Sequence, residues 1–339
     1  MKPTDFSKHL TDFLSKYMPG EKGASVNTIK SYRDTFMLFL EFCRDVQNQK
    51  IEKLTLSFIT MEIMVQFLNW LEGSRGSSHS SRNVRLAAIR SFFRYLQYKC
   101  PDNMNEWQRI LSIPVKKSEK PLINYLSVDG MRLVLAEPDT TTQTGRRDLA
   151  LLALMYDSGA RVQEIIDLKP SMIRLEEPYT VKLIGKGRKA RIVPLLEEQV
   201  KHLKIYMKEN RLLEPYANEY PLFMNRKREK LTRMGVGYIL EKYVAAARQK
   251  NPSSIPDKIS CHGIRHSSAM HMLQAGVNLV YIRDILGHSS IQVTEVYARA
   301  DSKQKREAIE KAYTDLTPTG TPSWHQNDNL LQWLKDFNR

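Results

Sequence analysis

Helical periodicity that begins at Phe6 stops at Pro114-Val115-Lys116-Lys117-Ser118-Glu119-Lys120-Pro121, and the pattern resuming beyond it differs in kind. Two prolines seven positions apart each remove a backbone donor and push the residue before them out of helical geometry. No helix, and no single layer of packing, can continue across such a segment. The chain of 339 residues, 42% of them hydrophobic, is therefore expected to form two domains, each large enough for its own core. The expected limits are residues 1–114 for a helical domain, 115–125 for a basic linker, 126–316 for a second domain and 317–339 for a tail.

The first domain reads as successive helices. Phe6, Leu10, Phe13, Leu14 and Tyr17 recur at helical spacing, and Ser25-Val26-Asn27-Thr28 offers capping residues for a helix bearing Ile29, Tyr32, Phe36, Phe39 and Leu40. Two more helices are expected from Ser57 to Leu71 and from Ser81 to Tyr98. The last sets Arg82, Arg85, Arg90 and Arg94 among Val84, Ile89, Phe92, Phe93 and Leu96, leaving the arginines free to point outward. They suit a DNA-facing helix or, equally, a solvated basic face. Lys116 and Lys117 would let the linker track phosphates.

The second domain opens with helix, including Arg147 to Asp157, then turns β-branched. Met172–Leu175, Val181–Ile184 and Arg191–Leu195 predict a small antiparallel sheet whose central turn is Gly185-Lys186-Gly187-Arg188-Lys189. Helix resumes at Leu196 and recurs over 238–248, 262–275, 280–286, 291–298 and 304–313. The fold class is mainly α with one small sheet. After Pro318-Thr319-Gly320-Thr321-Pro322, Leu330, Trp333, Leu334 and Phe337 predict an apolar tail helix.

The net charge of +15 points to a polyanionic partner, since lysines and arginines gain most by displacing counterions condensed on nucleic acid. An anionic membrane surface or ribosomal packing fits the charge alone. Cys43, Cys100 and Cys261 are far apart and form no C-x-x-C pair, which argues against a disulfide framework or structural zinc. The N-terminus lacks a signal-peptide core, and no apolar run would span a bilayer. A soluble protein of a reducing, cytoplasmic compartment is expected.

Phosphodiester cleavage without a metal requires a nucleophile, cations for the charge developing on the non-bridging oxygens, and an acid for the leaving alcohol. The chain offers each. His262 and Arg265, three residues apart at the head of one helix, share a face and can converge on one anion near a helix N-terminus. Arg161 follows a break at Asp157-Ser158-Gly159-Ala160, with Glu164 one turn on to orient it. Lys186 sits at the hairpin tip. His288 is expected to start a helix after Gly287, and Tyr297 to end it. Singly, each residue has an ordinary structural reading as an ion pair, a solvated lysine or a core tyrosine.

Together, Ala160-Arg161-Val162-x-Glu164, Gly185-Lys186-Gly187-x-Lys189, His262-x-x-Arg265-His266, Leu286-Gly287-His288 and Tyr297 resemble the tyrosine recombinase (phage integrase) family. Ser25-x-Asn27-Thr28-x-x-x-Tyr32 resembles its SAM-like core-binding domain, and the likeness spans about residues 5 to 313. The resemblance implies that Arg161 and Arg265 clamp the scissile phosphate with His288 as a third donor, and that Tyr297 attacks to form a 3′-phosphotyrosyl link. His262 would handle the tyrosine proton and Lys186 protonate the departing 5′-hydroxyl. Arg188 and Lys189 beside it would bind DNA. Gly263 and Ile264 depart from the usual pattern in ways that alter packing. His266 matches it and is read as a buried, hydrogen-bonded histidine.

The resemblance further implies chemistry with no cofactor, metal or ATP. It implies double-stranded DNA held in a two-domain clamp, a monomer when free, and a tetramer on two sites linked by the tail helix docking on a neighbour, the alternative being that the tail docks back on its own domain. The length suggests no arm-binding domain, as in mobile-element transposase A proteins and Xer-like recombinases. A type IB topoisomerase and a non-catalytic DNA-binding regulator are the rival readings.

Overall fold

The computed structural model describes residues 2–118, 123–300 and 334–335, and the chain divides into two compact units, Met1–Pro121 and Leu122–Arg339. In the first unit, α1 (Asp5–Asp12) widens into a π-helix over Phe13–Glu21 and is followed by α2 (Val26–Asp45), α3 (Met61–Gly73), α4 (His79–Lys99) and α5 (Met104–Ser112). Thr4, Ser25, Thr60 and Ser78 each accept a hydrogen bond from a first-turn N–H, which satisfies a donor the helix itself cannot.

On α4, Leu86, Ile89, Phe92, Phe93 and Leu96 form the buried stripe, and Phe92 meets Phe36 edge-on at 5.1 Å and Phe13 at 5.2 Å. Rings packed this way add about 0.5–1.5 kcal/mol per pair beyond their burial. The arginines of α4 do not all face outward. Arg82 is buried and donates to the Pro114 carbonyl at 3.0 Å, Arg90 donates to the Ile113 carbonyl, and Arg85 donates to Ser31 O and Thr35 Oγ1. Carbonyls left over where prolines end a helix need donors, and these long side chains supply them. Arg94 alone of the four is exposed. The start of the expected linker is held the same way: Asn83 bonds both the N–H and the carbonyl of Lys116, whose ammonium pairs with Glu72 at 2.6 Å, while Lys117 is exposed.

The second unit comprises α6 (Val128–Ala136), α7 (Gln143–Ser158), α8 (Val162–Ile166), β1 (Ile173–Arg174), β2 (Thr180–Ile184), β3 (Ala190–Pro194), α9 (Glu197–Glu209), α10 (Arg233–Lys250), α11 (Cys261–Gln274), α12 (Leu279–Leu286) and α13 (Glu295–Ala300). The strands form one antiparallel sheet in the order β1-β2-β3, with Val181 opposite Val193 and Ile184 opposite Ala190. Val181, Leu183 and Val193 turn into the core.

Helix α11 contacts α7, α12 and α13, and is buried almost all round; Ser267, Ser268 and Ala269 are small enough for neighbours to approach closely. Its one fully buried charge is Arg265.

Two expectations about the end of this unit change. His288 does not begin a helix, and Tyr297 does not end one. Gly287, at φ 64°, closes α12 in the left-handed region, His288 lies in the following turn, Ile291–Val293 forms a 3-10 turn, and Tyr297 falls within the six-residue α13. Serines 289 and 290 and the β-branched Ile291, Val293 and Thr294 are poor helix interior residues, which splits the expected helix. The expected helix over 304–313 lies outside the described residues, as do Leu330, Trp333 and Phe337 of the tail; Leu334 and Lys335 are helical. No helix among the described residues is long and apolar enough to cross a membrane.

Candidate active site

The site lies where α7 ends, α8 and α11 begin, and α12 stops. Gly159 ends α7 at φ 56°, and a Cβ there would come within 2.7 Å of a Leu286 methyl, so a side chain would strain both backbone and packing. The resulting break leaves the Gly159 carbonyl pointing at α11. Arg265 donates to it through Nη1 at 2.6 Å and to the Leu286 carbonyl through Nη2 at 2.6 Å. One guanidinium thus ties the ends of two helices together. Its Nε, also buried, has no hydrogen-bond partner among the described residues. Burial first, then the neighbouring Arg161 charge, pushes the Arg265 pKa down to about 10, which leaves it cationic at neutral pH.

Arg161 caps α8. Glu164 accepts from its backbone N–H at 2.8 Å and from its Nη1 at 3.0 Å, while Nη2 reaches toward the Gly287 carbonyl at 3.4 Å. The sequence places Glu164 one turn beyond Arg161, and the structure brings them together. It also brings in a residue the sequence reading passes over. Arg191, on β3, forms a fork with Glu164 at 2.9 and 2.8 Å and donates through Nε to the Ile285 carbonyl at 2.7 Å. Burial raises the Glu164 carboxyl, but the Arg191 hydrogen bonds, the Arg161 N–H and both guanidinium charges outweigh it, so it sits below its ordinary value. The signal for Arg191 was weak: one arginine beside isoleucine in a strand reads as simple alternation.

Gly287 explains the closeness. A Cβ on it would lie 3.0 Å from Arg191 Cδ and Nη1, at a φ few other residues adopt. Lys186 occupies the tip of the β2–β3 hairpin, closed by Gly185 N–H to the Lys189 carbonyl at 2.9 Å; Arg188 and Lys189 are exposed beside it.

Three histidines and the tyrosine complete the pocket. Tyr297 is 3% exposed, and its hydroxyl meets His266 Nδ1 at 3.0 Å. The His262 ring packs edge-on against His266 at a centroid distance of 4.3 Å. His288 stacks on Tyr297 at 6.4 Å, and its Nδ1 lies 2.9 Å from Thr294 Oγ1, a contact with no sequence signal. Burial, reinforced by the surrounding arginines, holds His262 below its ordinary pKa and pushes His288 down to about 4. Both are uncharged at neutral pH. Burial raises Tyr297, with Arg265 and Arg161 pulling the other way. What results is a phenol beside two arginines, a carboxylate that orients one of them, and neutral imidazoles able to donate or accept a proton.

The Phage integrase family model matches residues 124–304, and the Phage integrase, N-terminal SAM-like domain model matches residues 10–99. A Sinorhizobium fredii protein described as an integrase/recombinase, y4rC, is 34% identical over 328 residues, 97% of each chain. Tyrosine recombinase XerC of Thermodesulfovibrio yellowstonii is 30% identical over 315 residues, 91% of this chain and 97% of that one. The crystal structure of XerH recombinase in a post-cleavage complex with a palindromic difH substrate superposes with a TM-score of 0.67 at 23% identity, covering 88% of this chain and 83% of that one, a likeness of fold.

Proposed function

Because the chain belongs to the phage integrase (tyrosine recombinase) family, we propose that it is a site-specific DNA recombinase, the integrase or transposase of a mobile element, cutting and rejoining duplex DNA through a 3′-phosphotyrosyl intermediate. The observation that carries this reading is that the buried Tyr297 lies within the field of Arg265, a buried cation whose Nε–H has no partner among the described residues. A buried donor on a charged group is costly to leave unmet, and a phosphate oxygen answers it.

In this reading Arg161 and Arg265 hold the non-bridging oxygens. Their positions are fixed beforehand by Glu164 and by the Gly159 and Leu286 carbonyls, so little reorganisation accompanies charge development. The Thr294 hydroxyl, 2.9 Å from His288 Nδ1, is able to donate to it, and the tautomer that accepts there carries Nε2–H as a third donor to the phosphate. Tyr297 attacks phosphorus, its proton leaves by way of the α11 histidines, His262 among them, and Lys186 protonates the 5′-oxygen. The energy of the phosphodiester is kept in the tyrosyl ester, and rejoining runs the same steps backwards on a new strand.

Exposed Arg94, Lys117, Arg188 and Lys189 contact the duplex. Four protomers assemble on two sites, with the tail helix linking neighbours, and the enzyme works on DNA in the cytoplasm. A second reading, resolution of chromosome or plasmid dimers, is favoured by relatives named XerC and XerD at 30 and 32% identity.

The test is a pool of nicked duplexes with randomised cores, incubated in EDTA. Wild type is expected to form a covalent adduct whose DNA, once sequenced, gives the site, and Tyr297→Phe is expected to form none. An adduct that persists in Tyr297→Phe, or its absence from wild type, refutes the mechanism. Pairing two recovered sites then separates recombination from topoisomerase-like relaxation.

A further inference from the structure

The Tyr297 hydroxyl meets a histidine that the clamp leaves unused. His266 follows Arg265 on α11, its Nδ1 is 3.0 Å from the hydroxyl, and the two rings stand 5.6 Å apart at 62°. His262, one turn earlier on the same helix, packs ring to ring against His266. His266 therefore touches both Tyr297 and His262.

From this geometry we infer that His266 is the first proton acceptor for the nucleophile: it holds the Tyr297 hydroxyl and takes its proton as the oxygen attacks phosphorus, with His262 packed against it. The inference deepens the recombinase reading and rests on it. As the Tyr297 Oη–P bond forms, the P–O5′ bond breaks. The phenolic proton passes to His266 Nδ1, and the departing 5′-oxygen takes a proton from the acid, Lys186. On rejoining, the 5′-hydroxyl attacks phosphorus and gives its proton to the Lys186 amine as the phosphotyrosyl P–O bond breaks, and the imidazolium returns its proton to the departing phenolate oxygen.

The chemistry of the ring agrees. Burial, then the neighbouring His262 and Arg265, pushes His266 down to about 4, so it is neutral before DNA binds. A neutral imidazole that accepts at Nδ1 carries its proton at Nε2, which fixes the tautomer. The anionic phosphate, once between the arginines, offsets the charges that oppose protonation of His266. Its basicity thus rises when substrate is in place.

The experiment measures the rate of covalent adduct formation on the recovered site in two forms, one natural and one with sulfur as the bridging 5′-atom, a leaving group that needs no acid. His266→Ala is expected to slow both substrates by about 100-fold or more, the scale of a lost general base. His266→Asn, which keeps an acceptor near Nδ1 but is not basic, stays slow. Lys186→Ala is expected to be slow on oxygen and restored on sulfur. Thermal melting and duplex binding of His266→Asn confirm the fold. Three results overturn the inference: adduct rates within threefold of wild type in His266→Asn, restoration of His266→Ala by sulfur, or undiminished rates in His266→Ala. In each, Tyr297→Phe still forms no adduct and the recombinase reading stands. A wild-type protein that forms no adduct overturns both.

Discussion

Removing the Arg191 guanidinium tests whether the buried carboxylate is the keystone of the clamp. Arg191→Met keeps most of the stem's bulk but takes both fork hydrogen bonds from Glu164 and the donor from the Ile285 carbonyl. Glu164, 5% exposed, is left with the Arg161 N–H and the partly exposed Arg161 guanidinium. Breaking a buried ion pair on one side costs about 3–5 kcal/mol, and the surviving Arg161 contacts place this case near the lower end, at about 3 kcal/mol. For a unit of this size that lowers the melting temperature by about 6–12 °C. The penalty belongs to an unpaired buried charge rather than to lost packing, so adding Glu164→Gln to Arg191→Met should recover at least about 1 kcal/mol of it.

A pH series sharpens the argument. Glu164 has a depressed pKa in the folded protein, so its contribution to stability is present above the ordinary carboxylate range and is lost as pH falls through the lower folded value. In Arg191→Met the chief depressing partner is gone and burial raises the carboxyl. The difference between wild type and mutant should therefore shrink as acid neutralises Glu164. Other titrating groups largely cancel in that difference. Circular dichroism melts and urea titrations between pH 7 and 4 read it directly. A penalty under about 1 kcal/mol, one independent of pH, or a double mutant weaker than the single refutes the reasoning.

Gly287→Ala places a Cβ against Arg191 at φ 64° and shifts the carbonyls facing Arg161 and Arg265; it should cost about 1 kcal/mol in urea unfolding and lower the adduct rate at least tenfold. His266 and His288, at about 4 in the fold against an ordinary 6.5, bind fewer protons folded than unfolded, so urea midpoints should fall as pH drops from 6.5 toward 4, and His288→Asn should flatten the slope. Arg94→Ala should leave the melting curve unchanged and lower the salt dependence of duplex binding by about one phosphate contact. Arg82→Ala should do the reverse, destabilising the first unit by about 1–3 kcal/mol because the Pro114 carbonyl loses its donor.

The contrast between Arg94 and Arg82 shows what the sequence can and cannot encode openly. Hydrophobic spacing on α4 identifies its buried stripe, because burial of Leu86, Ile89, Phe92, Phe93 and Leu96 depends on their own character and on a fixed helical period. Whether an arginine on that helix faces water depends instead on carbonyls at Ile113 and Pro114, more than twenty residues away, left over by the break that also marks the end of the helical run. The same division runs through the site. His262 and Arg265 are legible because three residues of helix put them on one face, and Arg161 with Glu164 because one turn separates them. Arg191 is not, since its fork on Glu164 needs the sheet to be built first. His266 shows both sides at once: as a half-buried, hydrogen-bonded histidine it fits the ordinary reading, but its partner is the hydroxyl of Tyr297, thirty-one residues away, delivered by α13. Periodicity reports which face a residue occupies. The partner on that face, which decides between anchoring and chemistry, is set where helix ends leave groups unmet, and in this chain those ends are Gly159, Leu286 and Gly287.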